Sequence, residues 1–407
     1  MRRYILPACR TYYSCAANGQ RDISDLILYK KLLLGEKNMA NVIVRNATYQ
    51  YDLLRPIFFE MIEKLAGDKI KPGSRVLIKP NMLSSAHPED AVLTHPQVLR
   101  AAVEYVLEKG ARAQVSDSPA IGSFEKILKQ NGAKDALQGL DVICAPFQDA
   151  VEVDIGKPYG RIEVARDAVE ADVIINLPKL KTHSQMLLTL AAKNMFGCII
   201  GFKKSQWHMR AGTDTMFFAS LLVAIHQAVQ PTVSILDGIL ALEGEGPGKR
   251  GIPRKIGVLM GSDNSFALDM AVCAMIGVPQ SKMPMLKVAG DRQLLPEVEI
   301  EGTMPRVENF QLPETGQPIF GPAFLQNFLR RHTLARPVCD QPLCKLCGKC
   351  RTICPAGAID EKEASIEFDY GKCIRCYCCL EVCPYAALHS RETLGGRLTR
   401  TIINKFS

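Results

Sequence analysis

Cys344, Cys347, Cys350 and Cys354, followed by Pro355, share one spacing with Cys373, Cys376, Cys379 and Cys383, followed by Pro384. Each run reads C-x2-C-x2-C-x3-C-P, the pattern that holds 4Fe–4S clusters in bacterial two-cluster ferredoxins. Three cysteines at i, i+3 and i+6 wrap a loop around one cubane. The fourth, before proline, turns away and ligates the partner cluster. Two 4Fe–4S clusters are therefore expected. One takes Cys344, Cys347, Cys350 and Cys383; the other takes Cys373, Cys376, Cys379 and Cys354. Zinc is the alternative, since paired C-x2-C motifs also bind it. Two full four-cysteine copies, each closed by proline, weigh against that. Cys339 and Cys378 lie off the spacing and read as spare packed thiols; Cys144, Cys198 and Cys273 read as core. No role is assigned to Cys9 or Cys15.

A second set of polar residues follows apolar runs, where open α/β sheets bind ligands. Lys79 and Asn81 follow the strand-like Val76–Ile78; Asp117 follows Ala113–Val115. Lys179, Lys181 and His183 follow the apolar Ala171–Leu177 and precede an expected helix, Ser184–Met195. Cations at a helix start add to the positive end of its dipole and favour an anion. Lys193 and Asn194 interrupt that helix, and a lysine among apolar residues needs a partner. Lys181, His183 and Asp117 are the candidates for chemistry; Lys79, Asn81, His95, Lys193 and Asn194 are the candidates for binding an anionic small molecule. Each has a bland alternative: a solvated loop lysine, a turn aspartate, or a lysine whose stem packs while its head reaches water. Thr94, ahead of His95, is read as the cap of the helix beginning at Pro96, and Asp263 as the cap of the helix beginning near Ser265. Asp237-Gly238 is read as a strand end. Gly244-Glu245-Gly246-Pro247-Gly248 is read first as a lid or turn and second as a phosphate cradle.

The elements that must position these residues alternate. Strands are expected at Val42–Val44, Arg75–Ile78, Ala113–Val115, Ala171–Leu177, Val233–Leu236 and Ile256–Met260. Helices are expected at Pro96–Lys109, Gly122–Gln130, Met216–Val229 and Ser265–Ile276. Alternation of this kind implies a layered α/β body with a mostly parallel sheet. A small C-terminal α+β module of the bacterial two-cluster ferredoxin type follows. The expected organisation is an N-terminal extension over 1–38, non-native or disordered; an α/β domain over 40–292; a linker over 293–336 with one helix near Phe324–Arg331; the ferredoxin-like module over 337–390; and a basic tail over 391–407. Met39 opens the first strand, and translation is expected to start there.

Composition narrows the class. The chain has 407 residues, 47% hydrophobic and 23% charged, enough for a full core. The formal charge of +8 falls to about +4 with two oxidised clusters bound. That balance, without a Lys/Arg-rich run, argues against nucleic acid. No run of eighteen apolar residues suggests a membrane span. Metal-spaced cysteines in a long chain point to a reducing, cytoplasmic setting and anaerobic chemistry.

Several stretches together resemble a known family, the iron–sulfur-centre proteins grouped as domain of unknown function 362. They are Ile78–Asn81, Thr94–Pro96, Asp117–Pro119, Leu177–His183, Lys193–Gly197, Asp237-Gly238, Gly244–Pro247, and Asp263 with Ala267–Asp269. The resemblance covers about residues 42–290, and a ferredoxin module is a frequent companion in the family. It implies no catalytic residues, because the family's activity is not generally assigned. Three functions compete: an iron–sulfur oxidoreductase relaying low-potential electrons, from a redox partner protein, to an anionic substrate or cofactor; a non-catalytic electron carrier or partner within a larger redox complex; and structural or oxygen-sensing clusters. Convergence of Lys79, Asp117, Lys181, His183 and Lys193 on one cleft near a cluster would favour the first.

Overall fold

Val76 and Ile78 face one hydrophobic core, and Leu77 between them faces another. That alternation is the two-residue period of a strand. It places this segment in a sheet covered on both faces. The computed structural model describes residues 39–201, 203–313, 333–395 and 397. The 1–38 extension, the helix expected near Phe324–Arg331 and most of the basic tail lie outside the described residues.

The strands β1 (Met39–Asn46), β2 (Arg75–Pro80), β3 (Arg112–Val115) and β4 (Val142–Cys144) precede a hairpin, β5 (Ala150–Asp154) and β6 (Arg161–Ala165). β7 (Val173–Leu177), β8 (Lys179–His183), β9 (Leu187–Thr189), β10 (Val233–Gly244), β11 (Gly251–Ser262) and β12 (Glu297–Glu301) follow. The main sheet runs β12-β1-β11-β10-β7-β2-β3-β4, with β8 and β9 branching beside β10. The β10-β7-β2-β3-β4 stretch is parallel, and β11 is antiparallel to both its neighbours, β1 and β10. β7 reads Val-Ile-Ile-Asn-Leu and is buried throughout, as a central parallel strand must be. Helices α1 (Tyr51–Ala66), α2 (Pro96–Glu108) and α3 (Phe124–Asn131) supply one core; α4 (Ala191–Asn194), α5 (Lys203–Ala211), α6 (Thr215–Val229), α7 (Ser265–Met275) and α8 (Pro284–Asp291) supply the other.

Several expectations are corrected. Of the expected helix Ser184–Met195 only Ala191–Asn194 is helical: Pro178 interrupts the ladder after β7, and the chain resumes as β8, pairing with β10 and turning back as β9. This pairing buries Leu188 and Leu190, so tertiary packing overrides local helical preference. The cations of β8 therefore lie on a strand, and the helix-start argument for an anion does not apply to them. Asp237 sits within β10, where the register with β11 shifts just after it, and not at a strand end. His95, not Thr94, caps α2, its Nδ1 accepting from Gln97 N at 3.2 Å. Asn264, not Asp263, caps α7, its Oδ1 accepting from Phe266 N at 3.0 Å and Ala267 N at 3.1 Å. Cys144 is exposed at the sheet edge, whereas Cys198 and Cys273 are buried as expected.

In the C-terminal segment, β13 (Arg336–Cys339) pairs with β16 (Leu388–Arg391), and β14 (Ile359–Lys362) pairs with β15 (Ser365–Phe368). Short helices α9 (Lys349–Ile353) and α10 (Cys378–Glu381) occupy equivalent places in the two cysteine runs. The described residues from Ala40 onward form one compact unit. The glycine-rich loop between β10 and β11 is the seam. Arg250 donates to Ala386 O at 2.7 Å, and Ser390 Oγ donates to Glu245 Oε2 at 2.9 Å. A Cβ on Gly248 would lie 2.8 Å from Glu381 O and 3.2 Å from Leu380 O. The loop is a turn between β10 and β11 that packs against the C-terminal segment. Gly248→Ala should therefore loosen that contact by about 1–3 kcal/mol. Hydrogen exchange should rise about tenfold in α10 while the body's strands stay protected. Unchanged exchange in α10 would show that the seam tolerates the methyl group.

Candidate functional site

Lys79, Asn81, Asp117, Lys181, His183, Lys193 and Asn194 line one cavity of about 100 Å3. Of the eight candidates in the α/β body, only His95 stands elsewhere. Its ring stacks on Tyr49 at 3.5 Å, with Lys179 nearby. Lys179 Nζ donates to Asp237 Oδ2 at 2.8 Å and Tyr49 OH at 2.9 Å, and His95 N donates to the same Asp237 oxygen at 3.0 Å. This is a separate, self-satisfied buried network. Burial lowers His95 to about 4.

The strands place the cavity groups by their periods. Lys79 and Asn81 leave the end of β2; Lys181 and His183 share one face of β8. Lys79 Nζ donates to Pro80 O at 2.8 Å and pairs with Asp117 Oδ2 at 2.8 Å. Asp117 also accepts from Met82 N and Ser118 N. A carboxylate holding two amides and an ammonium is an anchor for Lys79. A Cβ on Gly197 would come within 2.5 Å of Lys79 Nζ and 2.4 Å of Asp117 Oδ1, so only glycine fits there. Asn81 and Asn194 belong to a chain of amides. Lys181 Nζ donates to Asn81 Oδ1 at 2.7 Å, Asn81 to Asn194 at 2.8 Å, Asn194 to Asn176 at 2.7 Å, and Asn176 to Ser234 at 2.9 Å. Their polar atoms are spent on each other and on aiming Lys181.

Among the lysines lining the cavity, Lys193, Lys181 and Lys204 have donors to spare and no carboxylate within ion-pair distance. Lys193 makes no hydrogen bond or ion pair among the described residues. Burial, with Lys193 nearby, pushes Lys181 down to about 7. Burial lowers Lys204 to about 8, although its ammonium donates to Ser118 O. His183 Nδ1 accepts from Gln185 N at 3.1 Å and Met186 N at 3.2 Å, so its proton sits on Nε2. Burial and Lys193 lower it to about 4. A neutral imidazole with Nδ1 occupied is a hydrogen-bond donor, not a base.

Sequence reasoning missed the residue that closes the site. Glu381 of α10 is buried with its Oε1 3.1 Å from His183 Nε2, acceptor facing donor. Burial pushes Glu381 up, but His183, Lys193 and His208 opposite it win and hold it near 2. With both imidazoles neutral at pH 7, Lys193 is the cation that matters. A signal existed: the equivalent position in the first cysteine run is Thr352. A charge where its twin has a hydroxyl marks a changed environment. Lys204 and His208 had no comparable signal.

The cysteines border two further cavities. Cys344, Cys347, Cys350 and Cys383 line one; Cys354, Cys373, Cys376 and Cys379 line the other. Leu346 and Arg375, at φ 49° and 57°, and Gly348 and Tyr377, at φ 72° and 60°, hold matching left-handed conformations in the two runs. Repeating a costly backbone at non-glycine positions implies a shared demand, here a loop curled so that three thiols face inward. Cys354 Sγ accepts from Ala358 N at 3.3 Å, as a thiolate ligand does. Four cysteines around each hollow suit a thiolate-held cubane. No three His, Cys, Asp or Glu side chains converge on a single-ion site among the described residues. Cys378 faces the α/β cavity and Cys339 packs beside Cys344, both off the quartets.

The α/β cavity approaches both quartets along the chain. Ile353 and Val382 line it, and each directly precedes a quartet cysteine, Cys354 or Cys383. Consecutive Cα atoms are only about 3.8 Å apart.

This arrangement defines an α/β protein joined to an iron–sulfur module. Residues 76–274 match the family described as "Domain of unknown function (DUF362)", and residues 336–384 match "4Fe-4S dicluster domain". The chain belongs to the DUF362 family and carries a 4Fe–4S dicluster domain at its C-terminal end. It is 36% identical over 286 residues to the thylakoid-associated protein sll1697 of a Synechocystis species, covering 68% of this chain and 88% of that protein. The module alone is 39% identical over 54 residues to pyruvate synthase subunit PorD of Methanocaldococcus jannaschii, covering 13% of this chain and 63% of that protein. It is also 44% identical over 48 residues to a component of the ion-translocating oxidoreductase complex of Methanosarcina acetivorans, covering 12% of this chain and 18% of that component. No helix among the described residues is long and apolar enough to cross a membrane.

The buried imidazoles set a pH dependence. An unfolded histidine binds its proton near 6.5, whereas folded His183 resists to about 4 and His208 to about 3. Between these values the unfolded chain holds more protons, so stability is lost as pH falls from about 6.5 towards 4. Each histidine contributes at most about 1.4 kcal/mol per pH unit. Urea midpoints measured anaerobically should fall from about pH 7 to about pH 5 in samples of equal iron content. His208→Leu should make that fall shallower; an unchanged slope would mean that His208 titrates normally.

Proposed function

We propose that this protein is an iron–sulfur redox protein that relays low-potential electrons to a small anionic substrate or cofactor in the α/β cavity. Two 4Fe–4S clusters, one on each cysteine quartet, supply single electrons when bound. The observation that carries the reading is the shared wall: the cavity that collects Lys181, His183 and Lys193 is closed by Ile353, Cys378, Glu381 and Val382 of the dicluster module. An electron carrier whose α/β body served only for docking would not need its buried cations to meet the module in one hollow.

In this reading Lys193, Lys181 and Lys204 bind the anion, and His183 offers its Nε2–H to Glu381. Asp117 fixes Lys79, while Asn81 and Asn194 aim Lys181. These are positioning roles, and Lys181 is the group best suited to exchange a proton near neutrality, since it falls to about 7. Electrons would come from a redox partner protein; the relatives' names, a pyruvate synthase subunit and a component of an oxidoreductase complex, support such a partner. A reducing, cytoplasmic setting suits exposed thiolate ligands such as Cys347.

The crossed ligand sets give a direct test. Anaerobically reconstituted protein should contain about eight irons per chain. Cys383→Ser should reduce this to about four, by removing a ligand from the Cys344, Cys347, Cys350 quartet. The EPR signal of the reduced Cys373, Cys376, Cys379 quartet should survive. Loss of the signal belonging to Cys373, Cys376 and Cys379 instead would replace crossed ligation with ligation within each run.

A further inference from the structure

The two cysteine runs share a backbone but not a charge. Leu346 in the first run and Arg375 in the second occupy the same place, each left-handed, at φ 49° and 57°. Leu346 lines the hollow of its quartet. Arg375 is only 3% exposed, and its Nε and Nη1 are buried without a hydrogen-bond partner. No carboxylate pairs with it among the described residues; its contact is the Tyr370 ring, whose centre lies 5.2 Å from its Cζ. A guanidinium taken out of water needs an anion or a full set of acceptors, and Arg375 has neither within the polypeptide.

Its surroundings add positive charge. Arg336 Cζ lies 5.0 Å from the centre of the same Tyr370 ring, and its Nε is also buried without a partner. The ladder sets Arg336 directly opposite Arg391, a like-charge pair that a sheet tolerates poorly. This group borders the second quartet. Tyr370 OH donates to Pro337 O at 2.9 Å, and Pro337 lines that quartet's hollow. Burial raises the Tyr377 phenol, which lines the same hollow, and Arg375 pulls it down against the Cys373, Cys376 and Cys379 thiols. Arg375 and three cysteines of the quartet therefore act on one side chain. The nearby acids are engaged elsewhere: Asp369 pairs with Lys372 at 3.4 Å, and Glu381 with His183 at 3.1 Å.

A 4Fe–4S cluster on four thiolates is an anion, and it gains one more negative charge on reduction. Burial makes that added charge harder to hold, so it lowers the reduction potential. The quartets differ in this respect: Cys347 of the first is exposed, whereas Cys376 and Cys379 of the second are buried. A cation in the same low-dielectric surroundings opposes the effect. Lys345, beside the first quartet, is exposed and is screened by water and salt. We infer that Arg375 is the fixed counter-cation of the second quartet and holds up its reduction potential against the effect of burial. The first quartet, with exposed Cys347 and Leu346 in the matching place, needs no such charge. The inference rests on the two-cluster part of the proposed function and not on what occupies the cavity.

The test is an EPR-monitored redox titration of the anaerobic, iron-loaded full chain, with the Cys383→Ser protein assigning the signal of the second quartet. Arg375→Gln removes the charge. It should lower the reduced-to-oxidised ratio of the second quartet about tenfold at a fixed potential, a shift of about 59 mV for one electron. Arg375→Lys keeps the charge and should retain most of the ratio. The first quartet should not move in either variant. An unmoved second quartet in Arg375→Gln at unchanged iron content, or equal shifts in both variants, overturns the proposal. Loss of iron from the second quartet in both variants overturns it too, because Arg375 would then be a packing residue. About eight irons per chain with an unmoved potential removes this inference alone; fewer in the unmodified chain removes the two-cluster reading with it.

Discussion

A buried ammonium needs either a partner or a changed charge state, and this requirement organises the α/β body. Lys79, Lys179 and Lys181 are among its largest fully buried side chains. Lys79 and Lys179 each hold a carboxylate at 2.8 Å. Lys181 has only an amide and a carbonyl as hydrogen-bond partners, and it lies near 7. Breaking a buried pair by removing one partner typically costs about 3–5 kcal/mol. Asp117 and Asp237 are therefore as indispensable to the fold as the lysines they hold. The β2 and β7 ends, the β8 hairpin and the bulge in β10 converge because these charges must meet. The amide chain from Asn81 to Ser234 extends the same demand through the core, since each member satisfies the next.

The same requirement explains how the dicluster module is seated. With Lys79 and Lys179 paired within the body, Lys193 is a half-buried cation that has no carboxylate partner there. α10 brings Glu381 opposite it, and glycine at 248 lets the backbone approach closely enough to do so. The small apolar patch of Ile353, Cys376, Cys378 and Val382 against Ala120 and Ile121 seals the approach from water. Electrostatic closure and apolar sealing thus act on the same few residues that border the cysteine quartets.

Much of this was legible in the sequence. A strict cysteine period needs no tertiary context, so the two runs declare their chemistry directly. The α/β layering was legible because β2 and β7 are continuous apolar runs. Lys79 and Lys181 were legible because each follows such a run, and Lys193 because it interrupts an apolar stretch. What escaped depended on long-range pairing. The Ser184–Met195 segment has helical composition, but Pro178 and the free edge of β10 draw it into a hairpin. His95 and Asn264 displaced their neighbours as caps because a cap is chosen by backbone angle, and a one-residue shift is invisible to residue type. Glu381 escaped because a motif is read for its cysteines, and the residues between them pass as filler.

That last omission bears on how such chains divide their labour. In the first run Thr352, between the cysteines, faces solvent. In this chain the second run is buried against the body, and its equivalent position carries a charge that the body's lysine requires. The two runs keep the same spacing and the same left-handed turns, yet only the second contributes a polar group to the cavity. The repeat therefore preserves what a cubane demands and diverges where the α/β body demands something else. A change at position 381 alters the cavity without touching a quartet cysteine, whereas a change at Lys193 alters the field around α10 from a strand-end cavity. Lys193 of the body and Glu381 of the module thus act on one another through charge across the cavity they both line.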